Sequence, residues 1–126
     1  MRLLELDHFG LDVRDLNRAE KFYTAVLGLE VAQRFGGHQV LLRCGSQMLA
    51  LFERQDLPPR VIDRIDNPLG KGHHAFKVSL TDFRNAQKEF SVRGIPTKGP
   101  IDWGDHDCLY FLDPDGNLLE IVCYER

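Results

Sequence analysis

Three side chains that could bind a metal ion stand in strand-like segments of the sequence: His8, His73 and Glu120. Two imidazoles and one carboxylate suit Mn(II), Fe(II), Zn(II), Ni(II) or Co(II), and they leave coordination positions open for a substrate or water. Glu120 interrupts the apolar run LLEIV, where a buried carboxylate needs a cation or several hydrogen-bond donors. The alternatives are structural histidines and an outward-facing Glu120 on an edge strand. The three residues together indicate a divalent-metal site.

Strand alternation predicts the direction in which these side chains point. In the segment Leu3–Val13, His8 falls on the face opposite the apolar residues. In the later segment GHHAFKVS, the same alternation selects His73 rather than His74 for the polar face. Glu120 lies opposite the apolar residues on either side of it. If the apolar faces pack under helices, the three polar side chains point into the concave side of a sheet.

The two halves of the chain repeat one order of elements. Helical spacing runs from Asp15 to Gly28 and again from about Thr81 to Gly94, with a glycine at each helix end. The predicted strands are Leu3–Val13, Leu29–Arg34, His38–Arg43, Gln47–Phe52, Gly72–Ser79, Pro96–Ile101, Cys108–Leu112 and Asn117–Tyr124. The pattern predicts an α+β fold with two βαβββ modules, residues 1–54 and 72–126. The linker, residues 55–71, contains several prolines and charges, and we expect one helical turn around Arg60–Ile65.

Length and composition exclude several classes of protein. The chain has 126 residues, the size of one domain, and its formal charge of −3 includes no Lys/Arg cluster for nucleic acid. The apolar start of the chain is broken by charged residues, so no signal peptide is expected, and no apolar run is long enough to span a membrane. Three widely spaced cysteines argue against a disulfide framework. We therefore expect a soluble cytoplasmic protein.

Four runs carry a resemblance to a known family: LDHFGLDV, FYTAVLGLEV, GHHAFKV and YFLDPDGNLLEI. They resemble the vicinal oxygen chelate superfamily, which includes the glyoxalase, bleomycin-resistance and extradiol-dioxygenase proteins. The resemblance covers essentially the whole chain, and it implies a single domain whose paired modules form a cupped mixed sheet around a divalent metal ion. It also implies that His8, His73 and Glu120 are the ligands, because they match the first-strand His, the His of H-x-A-F and the Glu after DPDG.

Departures from the family pattern narrow the range of activities that the resemblance implies. Glyoxalase I and methylmalonyl-CoA epimerase use a fourth, acidic ligand on the fourth strand, where this chain has Ala50, or Leu49 if the alignment shifts by one residue. The three-ligand set resembles that of fosfomycin-resistance transferases and extradiol dioxygenases. Tyr110 stands where the fosfomycin enzymes carry a tyrosine that contacts substrate, although it could equally be an ordinary strand aromatic. Gly10 replaces a frequent Thr or Cys of those transferases, which argues against fosfomycin itself.

The segment Trp103–Asp107 is the other concentration of polar residues. It precedes a predicted strand and could form part of a cavity rim, where His106 is a candidate acid or base. The alternative is a solvated loop histidine. His106 is therefore the second candidate catalytic residue, in addition to Tyr110.

Three hypotheses about function are compatible with these residues. The first is a metal-dependent enzyme, a glyoxalase- or fosfomycin-resistance-like lyase or transferase or a dioxygenase, that binds two oxygens of a small-molecule substrate. The alternative is a drug-binding sequestration protein of the bleomycin-resistance type, which typically lacks the metal triad. A former enzyme with a structural metal is a third possibility. The retained triad favours the enzyme.

A homodimer is also expected. Two four-stranded half-sheets leave edges that need covering or pairing, and the linker is long enough for the halves of two chains to pair. The resemblance to the three-ligand fosfomycin-resistance proteins implies that each metal site takes His8 from one chain and His73 with Glu120 from the other. A site closed within one chain is the alternative.

Overall fold

The structure, a computed structural model, describes residues 1–58 and 63–126. The chain divides into two compact units, Met1–Pro59 and Arg60–Arg126, called here the first and second units. The first unit contains β1 (His8–Val13), α1 (Leu16–Lys21), β2 (Glu30–Phe35), β3 (Gln39–Cys44) and β4 (Gln47–Glu53). The second contains β5 (His74–Lys77), α2 (Leu80–Val92), β6 (Thr97–Asp102), β7 (Asp107–Leu112) and β8 (Leu118–Cys123). A π-helical turn, Phe22–Val26, continues α1, and a 3₁₀ turn, Asp63–Ile65, precedes β5.

Each unit forms one four-stranded mixed sheet with the same connectivity. The strand orders are β1-β4-β3-β2 and β5-β8-β7-β6. In each sheet the first and last strands of the unit pair in parallel, and the other pairs are antiparallel. A parallel pair requires a crossover, which the helix and the two intervening strands provide. The α+β class and the βαβββ repeat predicted from the sequence are confirmed.

The two helices begin and end in similar ways. The side chain of Asp15 accepts a hydrogen bond from the Arg18 amide at 3.0 Å, and Ser79 caps α2 in the same manner. Gly28 and Gly94 follow the helices with φ of +73° and +67°, a region that costs glycine little. The helix ends that the sequence predicted at Gly28 and Gly94 are therefore confirmed.

Each helix covers one face of its sheet. In the first unit, α1 lies against β3 and β4, and the inward side chains of those strands are fully buried. In the second unit, the Phe90 ring lies 4.7 Å from that of Phe111, centroid to centroid. The opposite face of the second sheet is also apolar in part, because Ile65 packs there against a cluster of Cys108, Tyr110, Leu112 and Leu118. That opposite face carries the candidate site.

Some predicted boundaries were wrong. The first strand begins at His8 rather than Leu3, and Leu3, Leu4 and Leu6 are exposed. The pairing of β1 with β4 begins at His8 and Met48, next to a hydrogen bond from the Met48 amide to the Asp7 carbonyl. The residues before Asp7 have no partner in β4, which begins at Gln47. Of the predicted helical turn, the described part is the 3₁₀ turn, and Arg60–Ile62 lie outside the described residues. That the two units form one domain stays a prediction.

Where the structure describes the chain, none of its helices is long and apolar enough to cross a membrane.

Candidate metal centre

The second sheet places Glu120 between two neighbouring strands. In β8, Glu120 pairs with Ala75 of β5 on one side and with Tyr110 of β7 on the other. Paired residues project from the same face, so the three side chains form one row across the sheet. Glu120 is only 6% exposed, and apolar residues precede and follow it in the strand. A polar group buried at this position needs hydrogen-bond or ionic partners close to it.

His73 supplies the nearest partner. It stands one residue before β5, and its Nε2 lies 2.7 Å from Oε2 of Glu120. Its Nδ1 lies 2.8 Å from the backbone carbonyl oxygen of Lys71. Both ring nitrogens thus face oxygen acceptors, although a neutral imidazole carries a single N–H. If Nδ1–H donates to Lys71, the lone pair of Nε2 points at a carboxylate oxygen, and this arrangement favours a cation near both atoms.

The donor set fits a divalent metal ion. A histidine that binds metal through one nitrogen usually donates its other N–H to a carbonyl or carboxylate, and the Lys71 carbonyl is placed to accept it. Nε2 of His73 and Oε2 of Glu120 lie 2.7 Å apart, and imidazole nitrogen and carboxylate oxygen are both common ligands of divalent metal ions. His73 and Glu120 could therefore hold neighbouring positions around one ion without a large rearrangement.

His8, the third predicted ligand, lies in the first unit at the start of β1. Its side chain is 53% exposed, and its Nδ1 lies 2.7 Å from Oδ2 of Asp7. Within residues 1–58 and 63–126, no three His, Cys, Asp or Glu side chains are grouped so that they could hold one ion. The structure thus brings His73 and Glu120 together, and the ligand role of His8 stays a prediction.

Tyr110 lies beside this pair in a buried position. Its ring packs edge-on against that of His73, with centroids 5.3 Å apart and planes at 77°. Tyr110 is 5% exposed, and burial, followed by the negative charge of Glu120, raises its pKa. The phenol is therefore protonated at neutral pH and can donate a hydrogen bond to a carboxylate or to a substrate oxygen. Its contact with substrate stays a prediction.

The first sheet has no carboxylate at the equivalent position. Ala50 pairs with Gly10 in the same way that Glu120 pairs with Ala75. The register therefore selects Ala50, not Leu49, as the counterpart of Glu120. An acidic fourth ligand is missing at this position of β4.

The family was identified by comparison with known proteins. The family model described as the Glyoxalase/Bleomycin resistance protein/Dioxygenase superfamily matches residues 5–121. The chain belongs to this superfamily. It is 31% identical over 122 residues to the glutathione transferase FosA of Serratia marcescens, covering 94% of this chain and 80% of that protein. It is 27% identical over 124 residues to the metallothiol transferase FosB of Staphylococcus epidermidis, covering 96% and 82%.

The structural comparison agrees with this assignment. A glyoxalase/dioxygenase from Nostoc punctiforme superposes with a TM-score of 0.80 at 24% identity, covering 97% of this chain and 92% of that one. The match shows that this chain has the glyoxalase/dioxygenase fold. The resemblance that four sequence runs carried to this superfamily is confirmed. Within the superfamily, members that resemble this chain differ in the reaction they catalyse, so the family alone leaves the activity open.

His106, the second candidate catalytic residue, lies in the second unit. It lies just before β7, its Nδ1 is 2.6 Å from Oδ1 of Asp105, and its ring lies 4.9 Å from that of Tyr124 at 30°. The side chain of His106 is 23% exposed. The stacked, hydrogen-bonded ring differs from a freely solvated loop histidine. A role as acid or base stays a prediction.

Cys108 is a residue that the sequence argument overlooked. It is fully buried, and the indole Nε1 of Trp103 donates to its Sγ at 3.1 Å. Burial raises the pKa of the Cys108 thiol, and the Glu120 charge raises it further. The signal was present in the sequence, because alternation from Tyr110 places Cys108 on the same face of β7. A neutral thiol therefore lies near the carboxylate as part of its surroundings.

Proposed function

We propose that this protein is a divalent-metal-dependent enzyme that acts on a small molecule through two of the substrate's oxygen atoms. The observation that carries the proposal is the contact between His73 and Glu120. A buried carboxylate lies 2.7 Å from one nitrogen of an imidazole whose other nitrogen faces a carbonyl oxygen, as is usual for a histidine that binds a metal ion. The name of the relative FosB, a metallothiol transferase, agrees with a metal in this fold. His8 completes the proposed ligand set.

The residues of the chain have distinct roles in this proposal. A bound divalent ion would supply Lewis acidity to two substrate oxygens. Glu120 and His73 hold their donor atoms on one side of the site, and Lys71 fixes the orientation of the imidazole through its carbonyl. The phenol of Tyr110 is protonated at neutral pH, and burial raises its pKa further, so it can donate to an oxygen that gains negative charge during reaction. His106 is proposed as the acid or base at the rim.

The test compares two adjacent histidines. Protein purified without added metal should contain a divalent ion, His73→Ala should lose most of it, and His74→Ala should keep it. His74 is a matched control, because it is the next residue, of the same type, in β5 and pairs with Leu119 rather than Glu120. Elemental analysis of the folded variants gives the answer. Loss from His74→Ala with retention in His73→Ala would show that the proposed face is wrong.

A second measurement separates an enzyme site from sequestration. Vicinal-oxygen ligands such as hydroxamates should raise the melting temperature of the metal-loaded protein, because a ligand that binds only the folded state stabilises it. The same ligands should have little effect after metal removal. Equal stabilisation with and without metal would instead support a binding protein, whose cavity recognises the ligand without an ion.

We further propose a homodimer in which His8 of one chain joins His73 and Glu120 of the other. The support is that the structure groups two of the predicted ligands in the second unit and places His8, half exposed, in the first. The test coexpresses His8→Ala and Glu120→Ala under two tags and purifies the mixed dimer. Two-fold symmetry gives one intact site, so the mixed dimer should hold about half the wild-type metal. A mixed dimer as empty as both parents would place the site within one chain.

A cytoplasmic location is also proposed, because Cys44, Cys108 and Cys123 are all free thiols.

A further inference from the structure

Three side chains near the end of β8 form a contact series, and two of them, Lys77 and Tyr124, have no role in the proposed metal chemistry. The Nζ of Lys77 lies 5.7 Å from the centroid of the Tyr124 ring, within the range of a cation–π contact. The ring of Tyr124 in turn lies 4.9 Å from that of His106, with the planes tilted by 30°. We call Lys77, Tyr124 and His106 the cation–aromatic series.

The register places this series on the same face as the candidate metal centre. Lys77 pairs with Val122, and Ala75, two residues earlier, pairs with Glu120. Residues two apart in a strand share a face and are about 7 Å apart along it. Val122 also pairs with Cys108, so Lys77 lies in the row next to the one that contains Glu120. A small molecule bound at Glu120 could therefore extend along the sheet to Lys77.

The series has the properties of a binding surface. Tyr124 is 51% exposed although it contacts both other members, so its ring presents an apolar, flat surface to solvent. Within the part of the chain that the structure describes, no carboxylate lies within ion-pair distance of Lys77. An ammonium group has three N–H donors and no acceptor, and an aromatic face satisfies none of them fully. The donors of Lys77 are thus available for an anion from solution.

Lys77 differs from its acidic neighbours, because those carboxylates already have partners. Asp105 hydrogen-bonds to His106, and Asp102 and Asp107 pair with Arg126, so these carboxylates already have cationic or imidazole partners. The candidate metal centre one row away contains the buried side chain of Glu120. A substrate with two oxygen donors at the metal and an anion at its far end would meet Lys77 instead of a carboxylate.

We propose that Lys77, Tyr124 and His106 form a substrate-recognition subsite that binds an oxyanion group, such as a carboxylate, carried by a flat or apolar part of the substrate. Lys77 binds the oxyanion, and the Tyr124 ring, supported by His106, packs against the neighbouring part of the ligand. This inference rests on the proposed function and deepens it, because it defines the class of substrate as a chelating small molecule with a second, anionic end.

The experiment uses metal-loaded protein and a series of ω-carboxy hydroxamates with increasing spacer length, each compared with its neutral ω-carboxamide analogue. Titration calorimetry should show one spacer length at which the carboxylate binds about five-fold more tightly than the carboxamide, the range of a partly exposed ion pair. Lys77→Met should abolish this preference and leave acetohydroxamate binding and metal content unchanged. Lys88→Met, which removes an exposed charge from α2, should keep the preference.

The outcomes test the proposed subsite independently of the proposed metal site. Equal binding of carboxylate and carboxamide at every spacer length, or a preference that survives Lys77→Met, overturns the subsite. A preference lost equally in Lys88→Met shows general electrostatic attraction and also overturns it. If wild-type protein holds no metal, the proposed function fails, and the subsite is then tested by benzoate against benzamide on metal-free protein. There, chemical-shift changes at Tyr124 and Lys77 for benzoate alone support it, and none for either probe overturns it.

Discussion

The two sheets share strand order and register, yet the chemistry differs at equivalent positions. Glu120 of the second sheet pairs with Tyr110, whereas Ala50 of the first sheet pairs with Leu41. Glu120 and Ala50 are buried to nearly the same degree, at 6% and 1% exposure. Exposure to solvent therefore does not explain why one position has a carboxylate and the other a methyl group.

The difference shows that two sheets with the same topology can carry different polar residues. A buried carboxylate costs several kcal/mol of desolvation unless a partner compensates, whereas a buried alanine carries no such cost. In the second sheet, the imidazole of His73, 2.7 Å from the Glu120 carboxylate, and the buried Tyr110 beside it compensate for this desolvation. The first sheet keeps the same backbone pairing with apolar residues. One sheet thus carries the buried polar cluster, and the other has alanine at the equivalent position and carries His8, whose ligand role is a prediction.

The largest expected effect comes from making the second sheet resemble the first. Glu120→Ala should weaken metal binding by at least about 100-fold, because loss of an outer partner of a metal ligand alone costs 10- to 100-fold. Competition with a fluorescent chelator measures the affinity. Glu89→Ala removes a charge from the surface of α2 and should leave affinity unchanged. Wild-type affinity in Glu120→Ala would remove this carboxylate from the site.

A smaller effect is expected from making the first sheet resemble the second. The repeat predicts that position 50 faces the metal site, so Ala50→Glu should tighten metal binding by adding a carboxylate ligand. Because Ala50 is 1% exposed, the metal-free variant should be less stable by several kcal/mol. Metal should therefore raise its melting temperature more than that of wild type.

Ala50→Gln is the matched control for that change, since it has the same size without the charge. It should be destabilised but should gain no metal affinity. If Ala50→Glu folds and binds metal no more tightly than Ala50→Gln, the equivalence of the two positions does not extend to the metal.

The smallest effect concerns the neighbours of these residues. Ala75 in the second sheet corresponds to Gly10 in the first, where an added Cβ would lie 2.9 Å from Cε2 of the Phe52 ring. Gly10→Ala should be nearly neutral, because the ring clash offsets the gain of about 0.4–1 kcal/mol from a less flexible unfolded chain. In a Phe52→Ala background the same change should be stabilising. Urea denaturation of the four proteins gives the coupling, expected to be about 0.5–1 kcal/mol.

Additive effects of the two substitutions, with no coupling, would contradict the close contact between position 10 and the Phe52 ring.

Much of the fold followed from local patterns. The helix-ending glycines and the strand patterns were enough to predict two βαβββ modules, and strand alternation selected His73 over His74. The exposed segment before His8 was predicted as strand, because alternation along Leu3–Val13 was extended to residues that have no partner strand in the described part of the chain. Strand ends depend on pairing, and a single sequence contains no pairing information.

The candidate site was less predictable than the fold. That Glu120 has Tyr110 on one side and Ala75 on the other depends on cross-strand register, which alternation does not give. Cys108 has no distinguishing feature in the sequence apart from its spacing from Tyr110. The position of His106 against Tyr124 depends on the path of the loop before β7. These contacts join residues distant in sequence, and they are decided by packing.

The turn between β7 and β8 has a consequence for how such a site can be inherited. The carboxylate of Asp113 accepts hydrogen bonds from the amides of Asp115 and Asn117 at 2.9 and 2.8 Å, and this fixes the pairing of Leu112 with Leu118. Because strand faces alternate, a one-residue shift of register at this turn would move Glu120 to the opposite side of its strand. A lineage could therefore lose the proposed metal site through one codon gained or lost here that shifts the register, with every predicted site residue still encoded.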